Sequence, residues 1–505
     1  MRQVKKIPEK HSARRPNGAS WAVLLLGLLA ACSFVQRPTR PDLSRTHCLY
    51  AVATSHLDSQ WLWSYPDTIR RFLPRTLRAN FSMFKKYPSY VFNFTGANRY
   101  RMIKEYYPRE FAKLKEYVAA GRWFPAGSSW EECDANIPSP ESLIRQILYG
   151  GLFFRREFGK SSSEFMLPDS FGFPASLPSI LTHCGIKGFS TQKLLMGAGA
   201  RVGGPASIQS TPPGIPFNVG IWEGVDGSGV IAALNPGPYS STLWYDLSRS
   251  PSAAGSGTEE RKAMVDWPER IRRNGETGGI YADYMYFGRG DQGGAPQESS
   301  IRLLQAIVDR GVTRLPSPPR RLAGLTRRDA GEVRVGTGPL RVISATAEQM
   351  FLDILPAQAA RLPRYRGELQ LTEHTAGSLT SQAAVKRWNR RSEILAGAAE
   401  KASVAAAWLS GFRYPQERLN RAWALALGAQ FHDILAGTST PRAYEYSWND
   451  QVLAMNLFSQ ALTAALEASA AGLDTRAAGS AVLVYNSLAF EREDVVEADM
   501  EFPGG

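Results

Sequence analysis

The chain has 505 residues, 44% of them hydrophobic and 11% aromatic, and 59 Lys and Arg against 46 Asp and Glu give a formal net charge of +13. That much apolar material excludes a disordered tail and calls for two or more domains with large cores. The charge is not a nucleic-acid footprint. Arg2, Lys5, Lys6, Lys10, Arg14 and Arg15 concentrate it at the N-terminus, and the densest basic run elsewhere, 318-PPRRLAGLTRRD-329, fits a solvated loop.

In chain order, the basic opening leads into 21-WAVLLLGLLAAC-32. This apolar core is too short for a stable membrane span and of the right length for an export signal over residues 1–31. Its end, Leu29-Ala30-Ala31-Cys32, resembles the bacterial lipoprotein signal, in which the cysteine becomes the lipidated first residue. The expectation is a soluble chain tethered through Cys32 at the bacterial cell envelope, in the outer membrane or periplasm. Cys48, Cys133 and Cys184 remain, without metal-type spacing and with at most one disulfide among them.

From about 45 to 350, the β-rich runs 49-LYAVAT-54, 90-YVFNFT-95, 164-EFMLP-168, 187-KGFST-191, 229-GVIAAL-234 and 283-DYMYFG-288 alternate with helical patterns. That alternation predicts an α/β domain with a mainly parallel sheet. Between 375 and 472 the chain is Ala-rich and helical. Val385, Trp388, Leu395, Ala399, Ala402, Ala406 and Leu409 share one face, and Pro415 and 436-AGTSTP-441 divide the region into a three-helix bundle. Residues 481–505 return to strand-like alternation, as at the opening of a further β domain.

Parallel α/β sheets collect binding and catalytic groups at the carboxyl ends of their strands. His56 and Asp58 follow the first strand, Asp169 follows 164-EFMLP-168, and Asp291 follows 283-DYMYFGRG-290. Residues i and i+2 point to the same side, so His56 and Asp58 can reach one cation. Taken alone, His-x-Asp fits a capping aspartate beside a packed imidazole better than a metal site, and His432 within 422-AWALALGAQFHDILAG-437 fits a helix core better than a ligand.

Six segments carry a more specific signal: 54-TSHLDSQWLW-63, 122-RWFPAGSSWEECDANIPSPESLIRQILYG-150, 164-EFMLPDSFGFPASLPSIL-181, 287-FGRGDQGGAP-296, 373-EHTAGSLTSQ-382 and 430-QFHDILAGTS-439. In this order they resemble the family 38 glycoside hydrolases, retaining zinc-dependent α-mannosidases. The resemblance implies a seven-stranded β/α barrel-like catalytic domain over 45–350, a three-helix bundle over 375–472, and the start of a β-sandwich domain over 481–505, cut short at its C-terminus. It implies Zn2+ held by His56, Asp58, Asp169 and His432 of the second bundle helix, a set that suits zinc. Asp169 would be the nucleophile and Asp291 the general acid and base, with Asp283 as the fallback acid.

The same resemblance places Trp61 and Phe171 against the sugar, with Asp134, Asn136 and His374 on its hydroxyls. Asp134 also fits as the cap of a helix starting near Pro140, and Trp63 as core. The implied partner is a mannose-containing oligosaccharide or glycan. Ser170 and Phe173 are this chain's versions of variable positions in the family's nucleophile motif and suggest a divergent bacterial subgroup whose substrate need not be an N-glycan. Two other readings fit the residues: a metal-dependent polysaccharide deacetylase, whose metal activates water, and a non-catalytic sugar-binding lipoprotein.

Overall fold

The computed structural model describes residues 40–195, 211–243 apart from 213, 267–310, 340–371, and 376–499 apart from 475, 477 and 498. The leader with Cys32, the run 318–329 and His374 lie outside the described residues. From Asp42 onward the chain forms one compact unit.

Ten strands are present among the described residues: β1 (His47–Ser55), β2 (Phe92–Phe94), β3 (Trp123–Pro125), β4 (Glu164–Met166), β5 (Gly188–Ser190), β6 (Val219–Glu223), β7 (Gly229–Ala233), β8 (Ala282–Arg289), β9 (Leu340–Ser344) and β10 (Arg364–Arg366). They form two five-stranded sheets instead of a single seven-stranded set. In the first, β1 pairs in parallel with β8 from Cys48↔Ala282 to Ser55↔Arg289, with β9 along its first half and with β2 at its end. The second runs β10-β6-β7-β5-β4 and is parallel except for the β6–β7 hairpin. The strands without a counterpart in the sequence reading are β3, β6, β9 and β10. Short runs of three to five residues are too brief for a period-two pattern to register.

Alternation along β1 explains how the sheets meet. Cys48, Tyr50 and Val52 point into a core shared with Met166, Ile221 and Ala233 of the second sheet, while Leu49, Ala51 and Ala53 point into a core shared with surrounding helices. Buried tyrosines between the sheets find partners: Tyr286 donates to Ser190 Oγ at 2.7 Å and Tyr284 to the Ala347 carbonyl at 2.9 Å. Each such bond contributes about 1 kcal/mol, and more is lost when its partner is left unpaired.

The principal helices are α1 (Leu73–Lys86), α2 (Ala97–Tyr106), α3 (Pro108–Ala119), α4 (Pro140–Phe158), α5 (Leu177–His183), α6 (Trp267–Gly278), α7 (Glu298–Arg310), α8 (Ala383–Ser410), α9 (Gln416–Gly428), α10 (His432–Leu435) and α11 (Pro441–Ala471). Helix α4 starts at a Ser139 cap, whose Oγ accepts from the Ser142 amide at 3.3 Å, so Asp134 is not its cap. A β-carbon on Gly150 would lie 2.3 Å from the Ser129 carbonyl carbon, so only glycine lets loop 128–134 settle on α4. The Trp130 and Glu131 amides then donate to the backbone and side chain of Gln146. Gly150→Ala is expected to destabilise the fold by about 1–3 kcal/mol; an unchanged denaturant midpoint would refute this close approach.

Helices α8, α9 and α11 form the bundle, with α10 as an added single turn. The buried stripe of α8 is Asn389, Ser392, Ala396, Ala399, Ala402, Ser403 and Ala406. Ala399, Ala402 and Ala406 were foreseen, but Val385, Trp388 and Leu395 are only part-buried and Leu409 is 48% exposed. Small side chains let long helices approach closely, so the face of greatest bulk is not the face of contact. Residues 481–497 form no strand; an extended segment needs a partner edge to satisfy its backbone. Cys48, Cys133 and Cys184 are free thiols. No helix of the described residues is long and apolar enough to cross a membrane.

Candidate active site

The site begins where β1 and β8 run out. Their pairing continues past the strand ends: the His56 amide donates to the Arg289 carbonyl at 2.9 Å, the Asp58 amide to the Asp291 carbonyl at 2.8 Å, and the Gly293 amide to the His56 carbonyl at 3.0 Å. This ladder brings His56, Asp58 and Asp291 together. His56 Nε2 and Asp58 Oδ1 approach to 2.8 Å, and both residues are 2% exposed.

His432 arrives from the bundle on a second short ladder. The Asp134 amide donates to the Gln430 carbonyl at 2.9 Å and Cys133 bridges Phe431. His432 does not belong to the second bundle helix, since α9 stops at Gly428 and His432 opens α10. Its Nδ1 donates to the Glu132 carbonyl at 2.7 Å, which leaves Nε2 to face Asp58 Oδ1 at 3.5 Å and Asp169 Oδ2 at 4.0 Å.

Glu132 serves both histidines. Its carbonyl fixes His432, and its carboxylate lies 2.7 Å from His56 Nδ1, so both rings present Nε2 to the same space. Buried Arg99 in turn holds the carboxylate, with Nη1 2.9 Å from Oε1, and Thr95 donates to the same oxygen. Burial opposes charge on Glu132, but His56 and Arg99 outweigh it and hold the carboxyl well below the usual range. Burial likewise opposes charge on His56, and Glu132 and Asp58 raise its pKa well above the ordinary value.

His56 Nε2, Asp58 Oδ1 and His432 Nε2 are buried and face one another without a well-formed hydrogen bond, the nearest approach being the 2.8 Å between His56 Nε2 and Asp58 Oδ1. Three such atoms, each offered by a residue whose ligand atom lies within 4.8 Å of the others, have their desolvation only partly offset by one another, and a cation that takes their lone pairs would complete the offset. Two imidazoles and a carboxylate fit zinc. Asp169 stands at the edge of this group. Its Oδ1 is 2.8 Å from Lys193 Nζ, and Lys193 also lies 4.6 Å over the Phe171 ring. Phe171 meets His432 edge-on at 5.9 Å, and Ser170 ties this loop to the Cys133 carbonyl at 2.8 Å.

Asp291 sits at φ +59°, a left-handed conformation uncommon outside glycine. The Tyr239 hydroxyl donates to its Oδ1 at 2.9 Å, and the Tyr239 ring lies 4.7 Å from that of His56. Burial raises the Asp291 pKa above the ordinary aspartate value. Asp433, 3.6 Å from His432, is pushed up to about 7 by burial and by Asp58 beside it.

Asp283 is removed from consideration, because it is buried at the start of β8 in a two-pronged pair with Arg270 at 2.9 and 3.0 Å. Asp134 is buried beside the site, with Oδ1 accepting from the Asn136 and Ile137 amides at 2.8 Å each. Asn136 Nδ2 donates to the Phe171 carbonyl at 3.2 Å. Trp61 is half-buried and its carbonyl accepts from the Thr440 amide at 2.9 Å, while Trp63 packs against Phe72. Glu132, Arg99, Lys193, Tyr239 and Asp433 were not foreseen as site residues. The adjacent acids of 131-EECD-134 were a signal for the first; nothing local marks Tyr239.

The family profile described as "Glycosyl hydrolases family 38 N-terminal domain" matches residues 46–316, and that described as "Alpha mannosidase middle domain" matches residues 373–468. Alpha-mannosidase 2C1 of Homo sapiens is 30% identical over 463 residues, 91% of this chain and 38% of that protein. Alpha-mannosidase G of Dictyostelium discoideum is 32% identical over 399 residues, 79% of this chain and 31% of that protein. The chain thus spans well under half the length of these relatives. The solved structure of an α-mannosidase from Enterococcus faecalis V583 shares the fold, with a TM-score of 0.61 at 18% identity, over 85% of this chain and 43% of the other.

Proposed function

The chain belongs to glycosyl hydrolase family 38, and from that premise we propose that it hydrolyses terminal α-mannosidic bonds of glycans with retention of configuration. In this reading His56, Asp58, Asp169 and His432 hold a zinc ion, Asp169 is the nucleophile, and Asp291 is the general acid and base. The observation that carries it is the convergence of three buried ligand atoms on one space beside a part-buried carboxylate at the carboxyl ends of the strands.

Asp169 attacks the anomeric carbon, and Lys193 keeps its carboxylate oriented by holding Oδ1. The bond from the anomeric carbon to the leaving oxygen breaks as Asp291 protonates that oxygen. Asp291 then takes a proton from the water that resolves the glycosyl-aspartate, so two inversions retain configuration. Burial favours the protonated form of Asp291, which an acid catalyst needs, and the Tyr239 bond fixes its orientation. Trp61 and Phe171 pack on the apolar face of the sugar, and Asp134 and His374 bind hydroxyls. Bound zinc would supply a Lewis acid and a template for neighbouring hydroxyls.

The test is a panel of aryl glycosides with the first-formed anomer observed by NMR. Release of α-mannose first supports the reading. An inverted first product sinks it, and acetate release from acetylated polysaccharide without reducing sugar supports the deacetylase instead. Asp291→Ala is expected to lower kcat/KM for substrates with poor leaving groups by roughly 10²–10⁴-fold and to leave kcat/KM for activated ones nearly unchanged, because only the former need a proton in the first step, while kcat falls for both because the second step loses its base. Equal loss of kcat/KM on both classes would remove Asp291 from the acid role.

A further inference from the structure

Between the first turns of α8 and α11 lies a cavity of about 440 Å³, within the roughly 300–1,000 Å³ of small-ligand sites. Trp388, Tyr444 and Trp448 supply aromatic walls, and Gln382, Glu445 and Gln451 supply polar groups among them. We propose that this cavity is an accessory subsite for pyranose units of a mannose-containing glycan beyond the one that is cleaved, an inference that rests on the proposed activity.

Three observations support it. The first is chemical: sugars present flat apolar faces that pack on rings, and an equatorial rim of hydroxyls that amides and carboxylates recognise. Trp448 is 59% exposed, an indole with much of its apolar surface still in water and available for such a contact. The second is an unmet polar group. Ser447 also lines the cavity, is only 2% exposed, and its Oγ has no hydrogen-bond partner. That Oγ is closed to solvent as the side chain stands, so a sugar hydroxyl answers it once the Ser447 rotamer turns toward the cavity, which an apolar helix could not do.

The third is position. Ser439 is part of the cavity wall, its Oγ donates to the Asp433 carbonyl at 3.1 Å, and its amide donates to the Tyr444 hydroxyl at 3.1 Å. The next residue, Thr440, donates its amide to the Trp61 carbonyl at 2.9 Å. The segment Thr438–Thr440 therefore borders the cavity on one side and touches Asp433, next to His432, and Trp61 on the other. A glycan whose terminal unit packs on Trp61 would extend its next units over this segment toward the cavity.

The test compares the full chain with Trp448→Ala and Trp388→Ala on an aryl α-mannoside, which fills only the cleaved-unit position, and on an α-linked mannotriose. Trp448 is more than half exposed, so its removal leaves no core void. The expected result is a roughly tenfold fall in kcat/KM for the trisaccharide, carried by KM, with a change under twofold on the aryl mannoside. Equal effects on the two substrates, or none, overturn the subsite. Absence of aryl mannosidase activity in the unaltered chain would instead defeat the proposed function. In that event mannotriose titration followed by tryptophan fluorescence decides the subsite: saturable binding lost in Trp448→Ala supports it, and no binding overturns it.

Discussion

Asp169→Ala is expected to lower turnover of an aryl α-mannoside by on the order of 10⁴–10⁶-fold, the scale seen when a nucleophile is removed from a catalytic unit. The carboxylate is positioned from several directions. Lys193 Nζ holds Oδ1 at 2.8 Å, Oδ2 lies 4.0 Å from His432 Nε2, and Ser170 anchors the loop to Cys133. A large loss alone does not separate a nucleophile from a metal ligand, so a second readout is needed. Azide added to Asp169→Ala should enter the space left by the side chain, attack the anomeric carbon of a substrate with a good leaving group, and release β-mannosyl azide. Metal content is measured on the same sample. Loss of metal with no rescue would assign Asp169 to the metal alone, and near-normal turnover would sink both roles.

A strong chelator is expected to abolish activity and added zinc to restore it, because His56, Asp58 and His432 bring three buried ligand atoms within 4.8 Å of one another without a well-formed hydrogen bond to any of them. Full activity in a metal-free preparation would exclude the role given to these residues. The support around the ligands should be measurable without turnover. Glu132→Gln keeps the shape of the side chain but removes the charge that lies 2.7 Å from His56 Nδ1 and 2.9 Å from Arg99. Zinc affinity in competition with a chromophoric chelator should fall by roughly 10–100-fold, the usual effect of losing an outer-sphere partner. Unchanged affinity would show that Glu132 does not orient the ring. Zinc must displace a proton from His56, whose pKa is raised by Glu132 and Asp58 against the effect of burial. Affinity should therefore weaken as pH falls.

The gross plan of this site was legible in one dimension. An apolar run such as 49-LYAVAT-54 reads as a buried strand, and parallel strands put their carboxyl ends on one rim, so His56, Asp58, Asp169 and Asp291 could be gathered from the sequence. The run is apolar throughout because alternate residues of β1 feed two different cores. The bundle was legible in its helices but not in its contact face. Bulk marks what would rather be buried, whereas close packing of α8 on its neighbours selected Ala396, Ala399, Ala406 and small polar residues.

The chain's own sequence determined where strands end, which acids follow them, and which segments match the family, because these depend on local pattern and residue identity. Tertiary structure alone decided which atoms meet. Glu132 serves His432 across 300 residues and His56 from the same position, and Arg270 takes Asp283 out of the chemistry. Neither follows from spacing. Each depends on the register between segments distant in sequence, which is set by packing such as that of Ser129 on Gly150 and by the ladders that join β1 to β8 and loop 131–134 to Phe431.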